Sequence, residues 1–268
     1  MLVSRLGARA TFTSWDIALL RYAGSAIAIV PVLLRRGWPR MHPGRAVALV
    51  FTASFGFPLA AYAGFGFAPA AHGGVLLPGA LPLMVGLLGW LWLGERWSRA
   101  QLVSLAMVVG GIALLAQDTW GAHPGAWRGD LLLLLGCANW AVYTLLAGRW
   151  RVPALDVVII VAVVSLPLYA PIWYLALPSR LDTAPWGAIL FQLTYHGVFA
   201  VVVALFLYNR ALAALGPMTL TTITAIVPAM AALLAWPLLG EPLGAAGFAG
   251  VALVSAAMVW GVTAARPR

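Results

Sequence analysis

The chain has 268 residues, of which 63% are hydrophobic and only 9% are charged, and its formal net charge is +9. A soluble domain is about half apolar and about a quarter charged, so this composition excludes a water-soluble fold and indicates an all-α polytopic membrane protein. All 16 basic residues are arginines. They are scattered over short connections instead of clustering, which favours a role in membrane topology over nucleic-acid binding.

Nine apolar segments are long enough to cross a bilayer as helices, since a bilayer core takes roughly 20 helical residues. Breaks at arginine, aspartate, Gly-Pro and tryptophan clusters delimit them at 15–34, 46–67, 71–93, 100–117, 130–148, 154–177, 186–208, 215–239 and 244–264. The connections are short, so no soluble domain is expected. The one cysteine, Cys137, lies within an apolar run, which argues against a disulfide framework and a cysteine metal site.

An internal repeat divides the chain into two halves. A shift of 146 residues overlays PLMVGLLGWLWLGE on PAMAALLAWPLLGE, and a shift of 140 brings Asp16 onto Asp156. A duplicated unit with five helices, an odd number, must be inverted in the membrane. The sequence therefore predicts a first repeat, a connecting loop and a second repeat at 1–117, 118–129 and 130–264.

The first repeat lacks most of its opening helix. The second repeat opens on DLLLLLGCANWAVYTLLAG, whereas the corresponding place in the first holds only the tail MLVSRLGARATF. We expect a natural protein of ten helices, with the first truncated in this chain or its start at Met1 mis-assigned. Nine full helices then remain.

The arginines also predict the orientation. With a cytoplasmic tail after Ala264, eleven arginines lie on the cytoplasmic side and four on the other. Positive residues concentrate on the cytoplasmic side, so a multi-pass protein of the cell membrane with a cytoplasmic C-terminus is expected. The expected partners are the lipid bilayer and a small-molecule substrate, with no cofactor and no nucleic acid. A monomer and a homodimer both remain open.

These features resemble the drug/metabolite transporter superfamily, and within it the ten-helix EamA family. The similarity lies in LRYAGSAIAIVP after Asp16, in the ends GWLWLGE and AWPLLGE, and in LYNRALAALGPMTLTTITAIVPAMAALLAWPLLGE. The resemblance implies two inverted five-helix halves around a central cavity. It also implies transport of small metabolites such as amino acids, often outward.

The predicted function is a secondary transporter, an exporter of amino acids or drug-like solutes that works by alternating access. An intramembrane enzyme and a non-transporting scaffold are the alternatives. The sequence contains no G-x-S-x-G, H-E-x-x-H or D-x-x-x-D pattern, which argues against the enzyme, and no P-loop for ATP hydrolysis.

Polar and aromatic side chains inside or at the start of spans are candidates for contact with substrate. There are seven of them: Gln192, Tyr195, His196, Asn139, Trp140, Tyr143 and His72. The first three share one helix face, and His196 is the candidate for pH sensitivity. Trp140 and Tyr143 are spaced to form a stacking wall. Interhelical packing and hydrogen bonding explain these residues equally well, and His72 fits either a cavity mouth or the membrane interface.

Arg21 lies six residues inside its span, where two interpretations compete. It either snorkels or bonds to backbone carbonyls of a neighbouring helix, or it contacts an anionic group of the substrate. Pro78, Pro82 and Pro228 interrupt helices and predict hinges or cavity walls.

The two Gly-Glu pairs, Gly94-Glu95 and Gly240-Glu241, are separated by five spans and emerge on opposite membrane faces. They cannot form one carboxylate pair. Glycine suits a left-handed helix C-cap, so both pairs are interpreted as structural turns. No carboxylate lies in the middle of a span, which argues against a carboxylate proton relay.

Overall fold

The chain folds into helices joined by short turns. The computed structural model describes residues 12–94, 99–119, 125–223, 227 and 244–263, and these contain no β-strand. The helices are, in chain order, α1 Ser14–Arg36, α2 Pro43–Gly64, α3 Ala70–Gly79, α4 Leu81–Leu93, α5 Arg99–Thr119, α6 Ala126–Trp150, α7 Ala154–Ala176, α8 composed of Trp186–Gln192, Leu193–Val203 and Ala204–Ile223, and α9 Ala245–Thr263.

The helical surface is that of a membrane protein. In the described ranges, α1, α2, α3 with α4, α6, α7 and α8 form six runs that are long and apolar enough to cross a bilayer. α5 and α9 contain shorter apolar stretches, Leu102–Gly111 and Ala245–Ala257. Large apolar side chains face outward, with Leu34 79% exposed and Leu175 81% exposed. Because water would drive such surfaces together whereas lipid accommodates them, the chain is a polytopic all-α membrane protein, as predicted.

The observed helices differ from the predicted spans in two places. The span predicted at 71–93 is two helices that meet at Ala80. The span predicted to end at residue 208 continues to Gly216, where φ of 77° and ψ of 166° leave the helix. The rule that placed breaks at arginines ended the span before Arg210, but the neighbouring Asn209 amide is buried and donates to the Leu205 carbonyl within the helix. The span predicted at 215–239 lies largely outside the described residues.

Asp16 ties the start of α1 to the end of α7. Thr13 and Asp16 exchange side-chain and backbone hydrogen bonds in a capping box that begins α1. The Asp16 carboxylate also accepts from the Trp173 indole at 3.0 Å, the Ser179 hydroxyl at 2.7 Å and the Arg180 N–H at 2.9 Å. These donors satisfy the buried carboxylate, so its role is structural.

The other ends of the same two helices are also joined. Arg36, in the last turn of α1, forms an ion pair at 2.9 Å with Asp156, in the first turn of α7. The start of each helix therefore contacts the end of the other, so α1 and α7 run antiparallel along their shared length.

α1 crosses the π-helical part of α8 with backbone in direct contact. A Cβ built on Gly197 would lie 2.5 Å from the Gly24 Cα and 2.6 Å from the Ser25 nitrogen. A Cβ on Gly24 would overlap the carbonyl oxygen of Leu193. The crossing therefore requires glycine on both helices, in agreement with the use of small residues where membrane helices approach closely.

Candidate functional site

A cavity of about 120 Å³ lies between α1, α2, α3 and α8. Four polar or ionisable side chains line it, namely Arg21, Tyr62, Tyr195 and His196. The remaining lining is apolar and consists of Phe57, Pro58, Ala61, Phe65, Leu77 and Ala200. A few polar groups within apolar walls are the usual composition of a small-molecule site.

Arg21 supplies the positive charge of this cavity. Its side chain is only 9% exposed and hydrogen-bonds to the Tyr62 hydroxyl, while its buried Nε has no hydrogen-bond partner. The contacts between basic side chains and carboxylates in the described ranges join Arg36 to Asp156 and His72 to Asp130, and neither includes Arg21. The guanidinium therefore lies inside the protein with no carboxylate of the described residues as its counter-ion.

The cavity lies between the start of α1 and its middle: Arg21 is seven residues from the start, about 10 Å along the helix, and the Tyr62 carbonyl accepts from the Ser14 hydroxyl in the first turn. Gly24, at the crossing with α8, is ten residues from the start of the 23-residue α1, or about 15 Å along a helix of about 34 Å. His196 immediately precedes Gly197 at the same crossing and is 2% exposed. Its ring lies 6.1 Å from that of Tyr62 and 5.1 Å from that of Tyr195.

Two π-helical segments border the cavity. One, Phe51–Gly56, ends immediately before the lining residues Phe57 and Pro58, and the other, Leu193–Val203, contains Tyr195 and His196. Each π-turn carries more residues than an α-turn and so rotates the faces that follow it. Such segments occur often at functional sites, and here they set which side chains of α2 and α8 meet.

An aromatic cluster adjoins the cavity through Phe57. The Trp140 ring lies 4.8 Å from Phe57, 4.8 Å from Tyr143 and 5.1 Å from Tyr208. The spacing of Trp140 and Tyr143 on α6 therefore does bring their rings together. Asn139 lies beside the cluster, and its side chain would meet any Cβ added to Gly56.

Hydrogen bonds fix the orientation of these rings. The buried Tyr143 hydroxyl donates to Asn209 Oδ1 at 2.8 Å, the Thr144 and Tyr208 hydroxyls are 2.7 Å apart, and Trp140 hydrogen-bonds to Tyr208. With their polar ends engaged inside the cluster, these side chains contribute their apolar faces, so the cluster forms a rigid wall.

The hydroxyl of Tyr143 gives a testable contribution to stability. Tyr143→Phe removes the bond to Asn209 and is expected to lower the free energy of unfolding by about 1 kcal/mol. Thermal unfolding in detergent micelles measures the change. Tyr174→Phe is the matched control because Tyr174 is 79% exposed. Equal melting temperatures for the two variants would contradict a structural role for this bond.

His72 lies away from the cavity. It is 1% exposed on α3, and its Nδ1 lies 2.8 Å from Asp130 Oδ1 on α6. The ring therefore joins two helices. The sequence left two positions open for His72, a cavity mouth or the membrane interface, and the side chain does not line this cavity. In the described part of the chain no group of three His, Cys, Asp or Glu side chains comes together.

The remaining predicted residues occupy varied positions. Gln192 is buried one turn before His196 but does not line the cavity, and its Oε1 has no hydrogen-bond partner. Pro78 lies within α3, and Pro82 lies in the first turn of α4, so both border the break at Ala80. Gly94 ends α4 in the left-handed conformation, with φ of 69°. Four predicted positions fall outside the described residues: Pro228, Glu95, Gly240 and Glu241.

A second recess, of about 320 Å³, lies between α2, α7 and the turn that precedes α2. Its lining consists of apolar and aromatic side chains, including Trp38, Val50, Phe55 and Ile160. With no charged side chain in its wall it has little to select a polar solute, so the smaller cavity is the candidate site.

Sequence reasoning singled out Arg21, Tyr195 and His196 but not the other seven lining residues, among them Tyr62 and Phe57. Tyr62 lies two residues before the end of α2 and resembles an ordinary interfacial aromatic residue. Phe57 is one of several phenylalanines in an apolar run. The available signal was Arg21, because an ionisable residue within a span needs a partner. The position of Arg21 within its span does not tell which neighbouring residue is that partner.

Comparison with known proteins decides the family. The model of the EamA-like transporter family matches residues 1–117 and 127–263. The chain belongs to the EamA-like transporter family. This family is part of the drug/metabolite transporter superfamily. Two proteins of Bacillus subtilis (strain 168) are similar. The uncharacterized transporter YetK is 22% identical over 88% of this chain and 74% of its own length. The uncharacterized transporter YwfM is 27% identical over 74% of this chain and 66% of its own length.

A solved crystal structure has the same fold. This EamA-like chain superposes on it with a TM-score of 0.71, over 99% of this chain and 94% of the other, at 19% sequence identity. At that identity the likeness concerns the fold alone. The family and the relatives establish a membrane transporter, which points away from an enzyme.

Proposed function

We propose that this EamA-like protein is a secondary transporter that exports small metabolites such as amino acids or drug-like solutes from the cytoplasm. The observation that carries the proposal is the cavity beside α1, about 10 Å along that helix from its start, in which a buried guanidinium and three ring side chains face apolar walls. A charged group at this depth in a membrane protein is costly to maintain and is characteristic of a substrate pathway.

The proposed mechanism is alternating access between two inverted five-helix halves at 1–117 and 130–264. Two features support an inverted relation. Ser14–Arg36 and Ala154–Ala176 have the same length, and their bounds differ by the same 140 residues that align Asp16 with Asp156. These two helices also pack antiparallel, as helices related by inversion do. A rocking motion of the halves would expose the cavity to each side in turn.

The same arrangement supports the proposed membrane orientation. Arg36 and Arg151 lie at one end of α7, and Arg180 follows its other end. Eleven arginines against four support placing the end with Arg36 and the C-terminus in the cytoplasm of the bacterial cell. Under this orientation α1 starts at the outer face.

Reconstitution tests the function. Purified full-length protein in liposomes is expected to exchange an internal solute for the same radiolabelled solute, with amino acids and cationic drugs as the panel. Protein-free liposomes are the control for leakage. Exchange of one panel member, inhibited by an excess of that member, would support transport. If no solute moved under any gradient, the assignment as a secondary transporter would be rejected.

A further inference from the structure

We infer that Arg21 and Tyr62 bind the carboxylate group of the transported solute, so that the substrates of this protein are small organic carboxylates. The inference rests on the proposed function because it names the substrate class of the same cavity. It selects between the two classes in that proposal: amino acids carry the required group, whereas cationic drugs do not.

The first step is the charge of Arg21. The guanidinium of Arg21 is a cation that lies buried within the protein. Asp16 lies closest to it in sequence among the described carboxylates, and its oxygens accept from Thr13, Trp173, Ser179 and Arg180 instead. The charge of Arg21 is thus left for a group from outside the described residues.

The second step is the geometry of the donors. Arg21 is nine-tenths buried and keeps its Nε without a partner, while another part of its guanidinium contacts the Tyr62 hydroxyl. A guanidinium presents several N–H donors in one plane, and these match the two oxygens of a carboxylate. Both Arg21 and Tyr62 line the cavity, so an anion there would meet the fork of the guanidinium and the hydroxyl together.

The third step is the size and polarity of the rest of the cavity. Its volume of about 120 Å³ is well below the roughly 300–1,000 Å³ typical of sites for drug-sized ligands. Its apolar walls, which include Pro58, Ala61 and Leu77, suit a short hydrocarbon side chain. An inorganic anion would leave these walls without a contact, so a small organic acid fits the whole cavity better.

Binding and transport are measured separately. Full-length protein in lipid nanodiscs is titrated with leucine, with 4-methylpentanoate, which lacks the amine, with isopentylamine, which lacks the carboxylate, and with chloride. The same four probes are used in solute exchange across liposomes. Wild-type protein is expected to bind leucine and 4-methylpentanoate but not isopentylamine, and chloride is expected to compete weakly.

The variants assign the binding to Arg21. Arg21→Gln is expected to weaken carboxylate binding by about 10- to 100-fold, the usual scale for a hydrogen bond to a charged group, and Arg21→Lys by less. Arg210→Gln removes one exposed positive charge elsewhere and is expected to bind like wild type.

Arg21→Gln should also melt no lower than wild type, because it leaves no described carboxylate without its partner. Loss of melting temperature together with unchanged affinity would indicate a purely structural arginine and overturn the inference.

The outcomes for the two proposals are distinct. The carboxylate inference is overturned if neither carboxylate binds, or if both bind Arg21→Gln as tightly as wild type. Exchange of isopentylamine across liposomes would in that case still support transport. If chloride binds as tightly as leucine through Arg21, the site is a simple anion site and the inference is also overturned. Arg21-dependent binding of both carboxylates supports it, and exchange in liposomes then tests transport on its own.

Discussion

Gly24→Leu is expected to abolish the native packing of α1 on α8. The Cβ of the added side chain would overlap the carbonyl oxygen of Leu193. The α8 backbone at Gly197 cannot move aside locally, because it packs directly against Gly24. The two helices can relieve the clash only by separating. We expect a cost of about 3 kcal/mol, the upper end of the range for overpacked cores, or more.

Thermal unfolding in detergent and the yield of monodisperse protein measure this effect. Gly187→Leu is the matched control because it makes the same exchange in the partner helix α8, at an exposed position where a Cβ meets nothing within 4 Å. We expect the control to melt like wild type. A Gly24→Leu protein as stable as the control would show that α1 and α8 do not cross at this point.

His72→Ala is expected to produce the second large loss of stability. The substitution leaves the Asp130 carboxylate buried between α3 and α6 without the imidazole that lies 2.8 Å from it. Removing one partner of a buried pair typically costs about 3–5 kcal/mol because the remaining charge is uncompensated. The double variant His72→Ala with Asp130→Ala is expected to be more stable than His72→Ala alone.

The exposed pair provides the control for this prediction. Arg36 is half exposed and pairs with Asp156 at the end of α1, so Arg36→Ala is expected to cost at most about 1 kcal/mol. Unfolding of wild type, His72→Ala, Asp130→Ala and the double variant in the same detergent gives the coupling between His72 and Asp130. Additive losses in the double variant would mean that the two side chains do not stabilise each other.

Much of the helical layout could be predicted from the sequence, because apolar length and interrupting residues control it. The boundaries of α1 and α7 follow their apolar runs within a few residues. The contact of Trp140 with Tyr143 followed from helical spacing, since both lie on one face of α6. The inversion of the two halves stays a prediction, as do the substrate roles of Gln192, Tyr195 and His196.

The composition of the cavity could not be predicted in the same way. The π-turns in α2 and α8 have no recognisable sequence pattern, yet they decide that Phe57 and His196 face the same space. The crossing of Gly24 and Gly197 was equally hidden, because the chain has 28 glycines and close spacing of small residues occurs in several spans. Only the tertiary structure tells which of them touch.

The bonds at both ends of α1 restrict how this helix can move against α7. A slide by one helical turn, about 5.4 Å, would break the Asp16 contacts and the Arg36–Asp156 pair together. A tilt about one end would break only the contacts at the other end. The two helices are therefore held against translation along their common axis but can pivot at either end. Such pivots open one end of the helix pair while the other stays closed.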